Sequence, residues 1–514
     1  MVQPEDRPVV LVGAVRTMHP ARPGAEAVAV AHGRIVAVGP RDEVLAAVPG
    51  AAVHDVGDHQ VLPGFIDAHN HLSIAALHPR WGDLRGVTDR DAVLDAIAAQ
   101  AAAEPEAEWV RLAGWEGPEV APVGRADLDD LGLDRPVVVA HVSLHAGTVD
   151  TRALAEMGVG RTTPDPAGGE IGRGPDGEPD GWLTERAWGE AHRRSLESYA
   201  DPDRWAHHIV ARARLLLAEG VTAIHDAACS PEAEAVYRAM AAAGTLPVSV
   251  LAMPHPSTLF SHDFGSRFDG PGTGEGDERF RVGPAKLFAD GGLAIGLDVS
   301  VGGHRIHGGL LFDDLEDVAL RAAERGWRLA VHAIGNVGVD RALGAFTQVA
   351  RRRPDADHRF RVEHALVTGP GQWRRLAELG AIGVAQPGFV EHVGTQSGGV
   401  SFDDHRWLAF AGMAEAGVTL AGSSDDPCAP VPPMWCAHAG AHRHTTAGIA
   451  LDPDQAVPVD DWLRAYTAGA ALAGGQEHER GRLAVGLRAD LVVLDGERVV
   501  ETWVAGERVF DAGS

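Results

Sequence analysis

VLPGFIDAHNHL, residues 61–72, joins an apolar run to two histidines that are separated by one residue. Because side chains alternate along a β-strand, His69 and His71 point to one side of the strand and Asn70 points to the other. The run predicts a buried strand whose end delivers two imidazoles to one place. Taken alone, the pair is equally compatible with a strand that becomes polar as it leaves the core.

Seven further apolar runs follow, and they begin at residues 221, 246, 283, 327, 360, 381 and 417. Segments of helical periodicity, such as DDLEDVALRAAERG and GPGQWRRLAELG, lie between most of these runs. Eight alternating strand and helix units predict an α/β protein with a (β/α)8 TIM barrel. Catalytic residues of such a barrel lie at the carboxyl ends of its strands.

Two parts of the chain do not fit this alternation. Residues 73–205 form a long insertion after the first barrel strand, with a strand-like run RPVVVAHVSL of its own. An insertion of this length must fold on itself or cover something. Residues 1–60 and 475–514 contain short strands joined by Gly turns, which predicts a small β-sandwich domain built from both ends. Residues 61–474 are then the barrel domain.

The composition restricts the classes of partner. The chain has 514 residues, of which 45% are hydrophobic, and its formal net charge is -27. Such a charge repels phosphate backbones and anionic lipid heads, which argues against nucleic-acid and membrane partners. The first residues are acidic where a signal peptide is basic, and no run of about 18 apolar residues occurs, so we expect a soluble, cytoplasmic protein. The sequence leaves a homodimer open.

Polar residues that suit a metal ion stand at the ends of five of the predicted strands. They are His69 and His71 on the first strand, Lys286 on the fourth, His332 on the fifth, His364 on the sixth and Asp425 on the eighth. Core packing does not explain four histidines and an acid at the ends of distinct strands. Imidazole and carboxylate ligands together favour a borderline-soft divalent cation, most often zinc.

The same segments resemble known sequence motifs. LPGFIDAHNHL, KLFADG, VHAIGN, RVEHAL and GSSDDP are similar to the first, fourth, fifth, sixth and eighth strand motifs of the amidohydrolase superfamily. The resemblance is strongest to its YtcJ-like branch, amidohydrolase family 3, which includes metal-dependent hydrolases of the N-substituted formamide deformylase type. It extends from Val9 to Phe510 and includes GRLAVGLRADLVVLD near the C-terminus.

This resemblance implies two zinc ions per chain. His69, His71 and Asp425 would hold one metal, and His332 and His364 would hold the other. Lys286, carboxylated by carbon dioxide, would bridge the two, because an ordinary ammonium has no lone pair to offer a metal whereas a carbamate offers two oxygens. A structural salt bridge of Lys286 and a single-metal site stay open as alternatives.

The resemblance also implies a mechanism. A metal-activated hydroxide attacks the substrate, and Asp425 takes the proton of the water and delivers it to the leaving group. Asp426 is expected to support the site or its loop. His145, in the insertion, would bond the substrate oxyanion or close the pocket, the alternative being a loop histidine bound to backbone. Further candidates for the pocket or its lid are Trp115, Trp182, His304 and His307. For the two tryptophans, the alternative is a place in the core.

We therefore expect a hydrolase that cleaves a non-peptide C–N bond of a small molecule, such as an N-acyl or N-formyl amine, a cyclic amide or a carbamate. One alternative is a single-metal deaminase of an aminated ring, which Lys286 disfavours. Another is a non-catalytic scaffold, which the presence of all six candidate ligands disfavours. The sequence departs from the family pattern in LAIG after ADGG, at Thr148 and at Asp150, so no particular substrate follows from the resemblance.

Overall fold

Nine parallel strands form two sheets that follow the order of the chain. The computed structural model describes residues 7–255, 266–391 and 399–513. In spatial order, the first sheet contains Phe280–Val282, Ser249–Pro254, Val221–Cys229 and Phe65–Asn70. The second contains Ala285–Phe288, Leu329–Ala333, Arg361–His364, Ile382–Ala385 and Thr419–Gly422. Each of the eight apolar runs contains one of these strands, so the predicted strand positions are confirmed.

The two sheets approach each other at both edges. Around the fourth predicted strand, Phe280–Val282 pairs with the third strand and Ala285–Phe288 pairs with the fifth. At the other edge, two backbone hydrogen bonds join the ends of the first and eighth strands: Asp425 N to His69 O at 2.8 Å and His71 N to Asp426 O at 2.9 Å. Within the described residues, the assigned strand pairs form two sheets and not one closed ring.

Helices follow most of these strands, as the periodicity predicts. They are Pro231–Ala242, Leu315–Glu324, Asn336–Arg352, Pro370–Glu378, Phe410–Glu415 and Pro433–His442. Both quoted helical segments are therefore confirmed. The helix Pro370–Glu378 ends before Gly380, whose φ of +60° is the left-handed conformation that glycine adopts most easily after a helix. The strands they cover are buried on both faces, as parallel strands require.

Strands from both ends of the chain form one seven-stranded sheet. Its spatial order is Glu507–Asp511, Arg498–Val504, Leu491–Asp495, Ala52–Pro63, Val9–His19, Arg22–Ala31 and Arg34–Gly39. The apolar run 61–66 is divided between this sheet and the parallel sheet, and the division falls at Gly64. A Cβ on Gly64 would lie 2.5 Å from the Thr222 side chain, so only glycine allows this close passage.

The insertion carries a six-stranded sheet of its own. Its spatial order is Gly169–Arg173, Pro179–Glu185, Ala146–Val149, Val137–His141, Val110–Trp115 and Gly82–Asp83. The strand predicted from RPVVVAHVSL corresponds to Val137–His141. The helices of this region are Leu72–Ala75, Arg90–Ala103, Arg125–Asp130, Thr151–Glu156, Arg186–Glu197 and Pro202–Ala218. The insertion thus folds on itself and also reaches the ends of the parallel strands.

The remaining elements are short. Two strand pairs are Leu297–Val301 with His304–Gly308 and Val367–Thr368 with Arg406–Trp407. The other α-helices are Arg41–Ala47, Val459–Arg464 and Ala470–Gly474. In the part of the chain that the structure describes, no helix combines the length and the apolar character needed to cross a membrane.

Candidate active site

A cavity of about 370 Å³ lies at the carboxyl ends of the parallel strands. Its lining includes the six candidate metal ligands and His145, namely His69, His71, His145, Lys286, His332, His364 and Asp425. Six of them lie on or just after the strands of the two parallel sheets. His145 precedes the strand Ala146–Val149 of the insertion. The cavity is therefore bounded by strand ends on one side and by the insertion on the other.

His69, His71 and Asp425 form the tightest cluster of possible ligands. The Oδ1 atom of Asp425 lies 3.0 Å from His71 Nε2 and 3.4 Å from His69 Nε2. One ligand atom from each of the three residues lies within 4.8 Å of the others. Two imidazole nitrogens and one carboxylate oxygen at this spacing are the ligand types that zinc uses in proteins.

The other two strand-end histidines continue the cluster along the cavity. The ring centroid of His364 lies 4.7 Å from that of His69 and 4.7 Å from that of His332. Lys286 Nζ and His332 Nε2 are buried, and neither atom has a hydrogen-bond partner among the described residues. Both residues line the cavity, so these two atoms fit a site that binds a further group.

Hydrogen bonds fix the ring orientation of three of these histidines. Each has its Nδ1 beside an oxygen: His69 beside Glu363 Oε2 (2.5 Å), His71 beside the Ala227 carbonyl (2.8 Å) and His364 beside Gln386 Oε1 (3.0 Å). Because these oxygens only accept, Nδ1 carries a proton in each ring, and Nε2 keeps its lone pair in His69 and His364; Nε2 of His71 lies 3.0 Å from Asp425 Oδ1 and is hydrogen-bonded to it. In metal sites, a histidine typically binds the metal through one ring nitrogen and donates the N–H of the other to an oxygen that orients the ring.

The electrostatics match the protonation states of metal ligands. Burial would raise the pKa of Asp425, but the nearby histidines, first of all His69, hold it well below its usual range. Burial lowers the pKa of His364 to about 4 and lowers that of His332 further below its usual value. His71 differs: burial lowers its pKa, but the hydrogen bond and charge of Asp425, together with the charge of Asp226, raise it above its usual value. The Asp425 carboxylate is thus ionised, and the imidazoles of His332 and His364 are neutral. These are the protonation states that metal binding requires.

Two of the candidate ligands have a left-handed backbone. His364 has a φ of 75° and Asp425 a φ of 65°, although neither is a glycine. Such conformations cost about 1–3 kcal/mol each and persist only where the surroundings impose them. In a regular strand, Glu363 and His364 would face opposite sides, yet both contact the His69 ring. The turn at His364 therefore brings two consecutive residues to one site.

Sequence reasoning did not single out Glu363, Arg361 or Gln386. Glu363 is fully buried and lies between His69 and Arg361, whose Nε and Nη2 donate to its two oxygens at 2.8 and 3.0 Å. Gln386 orients His364 and donates its own amide to Ser423 Oγ at 2.9 Å. One sequence signal could have pointed to Arg361 and Glu363: both are charged residues within a strand that is predicted to be buried. Charged residues are rarely buried unless they are paired or functional.

His145 lies opposite the strand ends. Its ring centroid is 5.0 Å from that of His332, and its Nδ1 is 2.7 Å from the Oε2 atom of the buried Glu185. Glu185 was not among the predicted residues either. His145 is part of the cavity lining.

The remaining candidates lie outside the cavity lining. Trp115 is fully buried and packs edge-on against Trp182, with ring centroids 5.7 Å apart, so both belong to the core of the insertion. His304 and His307 lie on the exposed strand His304–Gly308. The Asp426 carboxylate is paired with Arg212 and does not line the cavity, which supports a structural role for it.

A comparison with known families identifies the chain. The sequence profile of the amidohydrolase family matches residues 52–510. The chain belongs to the amidohydrolase family. This amidohydrolase is 35% identical to the N-substituted formamide deformylase of Arthrobacter pascens, over 96% of this chain and 94% of that protein. It is 28% identical to the putative amidohydrolase YtcJ of Bacillus subtilis (strain 168), over 85% of this chain and 84% of that protein.

Solved structures agree on the fold of the amidohydrolase. An uncharacterized metal-dependent hydrolase from Pyrococcus horikoshii superposes with a TM-score of 0.73 at 20% identity, covering 95% of this chain and 97% of that one. The fold is thus an α/β fold of the kind that contains a TIM barrel. Family and relatives together make this amidohydrolase a metal-dependent hydrolase of carbon–nitrogen bonds other than peptide bonds.

Proposed function

We propose that this amidohydrolase hydrolyses N-substituted formamides, releasing formate and an amine. The observation that carries the substrate class is the 35% identity, over nearly the whole chain, to a protein named for that activity. The lining of the cavity supports it. Beside the polar cluster, the cavity has an apolar wall that suits the hydrocarbon substituent of such an amine, formed by Ile74, Leu144, Phe288, Leu293, Ile334, Leu366 and Phe389.

We infer that the strand-end residues hold two zinc ions. His69, His71 and Asp425 would bind the first, and His332 and His364 would bind the second. A carbamate on Lys286 would lie between them, and two features of the lysine support it. Its Nζ has no hydrogen-bond partner among the described residues, and burial lowers its pKa to about 8. Because only the neutral amine adds to carbon dioxide, a pKa below the usual value of roughly 10 favours the carbamate.

The bound metals would supply an activated water and would polarise the formyl carbonyl. Asp425 would accept the proton from the attacking water at a carboxylate oxygen and pass it to the amide nitrogen, so that the C–N bond breaks and the amine leaves. As an imidazolium whose Nδ1–H donates to Glu185, His145 would donate a hydrogen bond from Nε2 to the carbonyl oxygen as that oxygen gains negative charge. The apolar wall would exclude bulk water from the reacting bond.

We further infer the architecture that supports this chemistry. The eight strand positions and the two backbone hydrogen bonds between residues 69–71 and 425–426 support a (β/α)8 barrel over residues 61–474. The seven-stranded sheet, whose strands come from both ends of the chain, supports a small composite β domain of residues 1–60 and 475–514. In such a barrel, the strand ends provide a rigid frame for ligands, and loops and insertions select the substrate.

The proposal is tested with protein loaded with zinc and a panel of substrates. The panel contains formamides of aliphatic and aromatic amines, the matching acetamides, cyclic amides, carbamates and aminated rings. We expect formamides with hydrophobic substituents to have the highest kcat/KM, with formate and amine appearing in equal amounts by NMR. The Asp425→Asn variant, purified in the same way, excludes a contaminating activity. Ammonia release from aminated rings without formamide turnover would overturn the proposal in favour of a deaminase.

A further inference from the structure

We propose that Glu185 is a positioning residue that sets the orientation of the His145 ring over the strand-end cluster. This inference rests on the proposed function, in which His145 contacts the reacting carbonyl oxygen. Glu185 ends the strand Pro179–Glu185 of the insertion and does not itself line the cavity. It would therefore act on the reaction through His145 and not by touching the substrate.

The contact between the two side chains fixes which ring nitrogen carries a proton. His145 Nδ1 lies 2.7 Å from Glu185 Oε2, and a carboxylate can only accept a hydrogen bond. Nδ1 must therefore carry the proton. The Gly292 amide nitrogen also lies 2.9 Å from Nδ1, but a protonated Nδ1 has no lone pair left for it. Because the two ring nitrogens of imidazole point in diverging directions, Nε2 is turned away from Glu185.

Glu185 is itself held firmly. Its side chain is fully buried, and its Oε1 accepts hydrogen bonds from the backbone amides of Leu293 and Ala294 at 3.0 and 3.3 Å. Burial would raise the pKa of Glu185, but His145 and these amides bring it below its usual value. The residue also has a φ of 51°, a conformation that non-glycine residues adopt at a cost. A buried, ionised and strained acid beside a cavity histidine is a costly arrangement for packing alone.

Two glycines make room for this pair. A Cβ on Gly291 would lie 2.6 Å from Glu185 Oε1, and a Cβ on Gly292 would lie 2.4 Å from the ring atoms Cδ2 and Nε2 of His145. The second half of the ADGG motif thus lies directly against the pair. The His145 ring is confined between Gly292 and the ring of His332, and Glu185 fixes its rotation in that slot. A side chain at Gly292 would therefore displace the His145 ring and leave Glu185 unchanged.

A double-mutant cycle tests whether Glu185 acts through His145. Glu185→Gln keeps the size of the side chain but removes the charge, and we expect kcat to fall about 10- to 100-fold with a much smaller change in KM. In a His145→Ala background the same change should cost less than about twofold, because the group it orients is gone. Gly292→Ala, which displaces the ring from the other side, should behave in the same way. Equal losses in both backgrounds would overturn the proposal.

Crystal structures of the metal-free wild-type protein and of Glu185→Gln provide a readout that needs no activity. We expect the His145 ring to rotate in the variant while the backbone of residues 143–147 keeps its position. A ring that stays in place would overturn the proposal even if activity fell. If the wild-type protein hydrolysed no formamide, the proposed function would fail, and the crystal structures would still decide the role of Glu185.

Discussion

The two sides of the cavity are held in different ways. On the strand side, the rings of His69, His71 and His364 are oriented by oxygens of residues that lie on, or directly after, other strands of the two parallel sheets. On the insertion side, His145 is oriented by one carboxylate from a segment with strained backbone. We therefore expect the two sides to have different roles. Substitutions on the strand side should lower both the metal content and kcat, whereas substitutions on the insertion side should lower kcat alone.

The largest effect is expected at Asp425, which would be both a ligand and the proton carrier. Asp425→Asn keeps the shape of the side chain but removes its charge, so kcat should fall by about 10²- to 10⁴-fold or more. Rate and metal content must be measured on the same sample. Asp426→Asn is the matched control: it breaks the pair with Arg212 and should lower the Tm while leaving most of the activity. If Asp426→Asn were inactive and Asp425→Asn still turned over substrate, the proton carrier would be Asp426 and our alignment of the eighth strand would be wrong by one residue.

The next largest effect is expected at Lys286. Lys286→Ala removes the proposed bridge, so the metal content should fall towards one per chain and activity should fall with it. Acetate or propionate should restore part of both, because a small carboxylate can replace the carbamate oxygens. The same carboxylates should not rescue Asp425→Asn. Full activity and full metal content in Lys286→Ala would show that no bridge exists.

A smaller effect, and the sharpest test of the comparison, is expected at Glu363. Glu363→Gln weakens the hydrogen bond that orients His69, and residues in this role typically contribute about 10- to 100-fold in metal affinity or activity. Zinc affinity should therefore fall, as measured by competition with a chelator. Glu185→Gln should lose a similar factor in rate at unchanged zinc affinity. If both variants lost zinc equally, the division between the two sides would be wrong.

The smallest effect is expected on the exposed strand pair near residue 300. His304→Ala and His307→Ala alter side chains that lie outside the cavity lining and are exposed to solvent. Exposed substitutions of this kind usually change stability by less than about 0.5 kcal/mol. Thermal unfolding and kcat/KM should stay close to wild type. A large loss of kcat/KM in either variant would mean that this strand pair closes over the substrate.

The strand-end residues could be predicted from sequence because a strand has a fixed period. Once the apolar runs are aligned, the residues at their carboxyl ends must meet, and this brought His69, Lys286 and Asp425 to one cavity. The same period failed at residue 64, where the apolar run 61–66 continues without a break in pattern although the chain passes from one sheet to another. Only the close approach of Thr222 to Gly64 explains that passage.

The insertion side could not be predicted in the same way. The contact between His145 and Glu185 continues the antiparallel register of the strands Ala146–Val149 and Pro179–Glu185, and nothing in the sequence of either segment shows that these two strands pair or in which register. Glu363 was missed for another reason: alternation assigns it to the face opposite His364, and the left-handed turn at His364 breaks that alternation. Trp115 shows the converse, because an aromatic residue of the insertion proved to be core.

Metal content tests the central claim most directly. Protein expressed with ample zinc and dialysed against zinc-free buffer should contain close to two zinc ions per chain, because six candidate ligands exceed what one tetrahedral site uses. Elemental analysis of wild type and of His332→Ala should give about two and about one. A wild-type value that stays at one with full activity would contradict the two-metal site, and a value near zero in active protein would contradict the account as a whole.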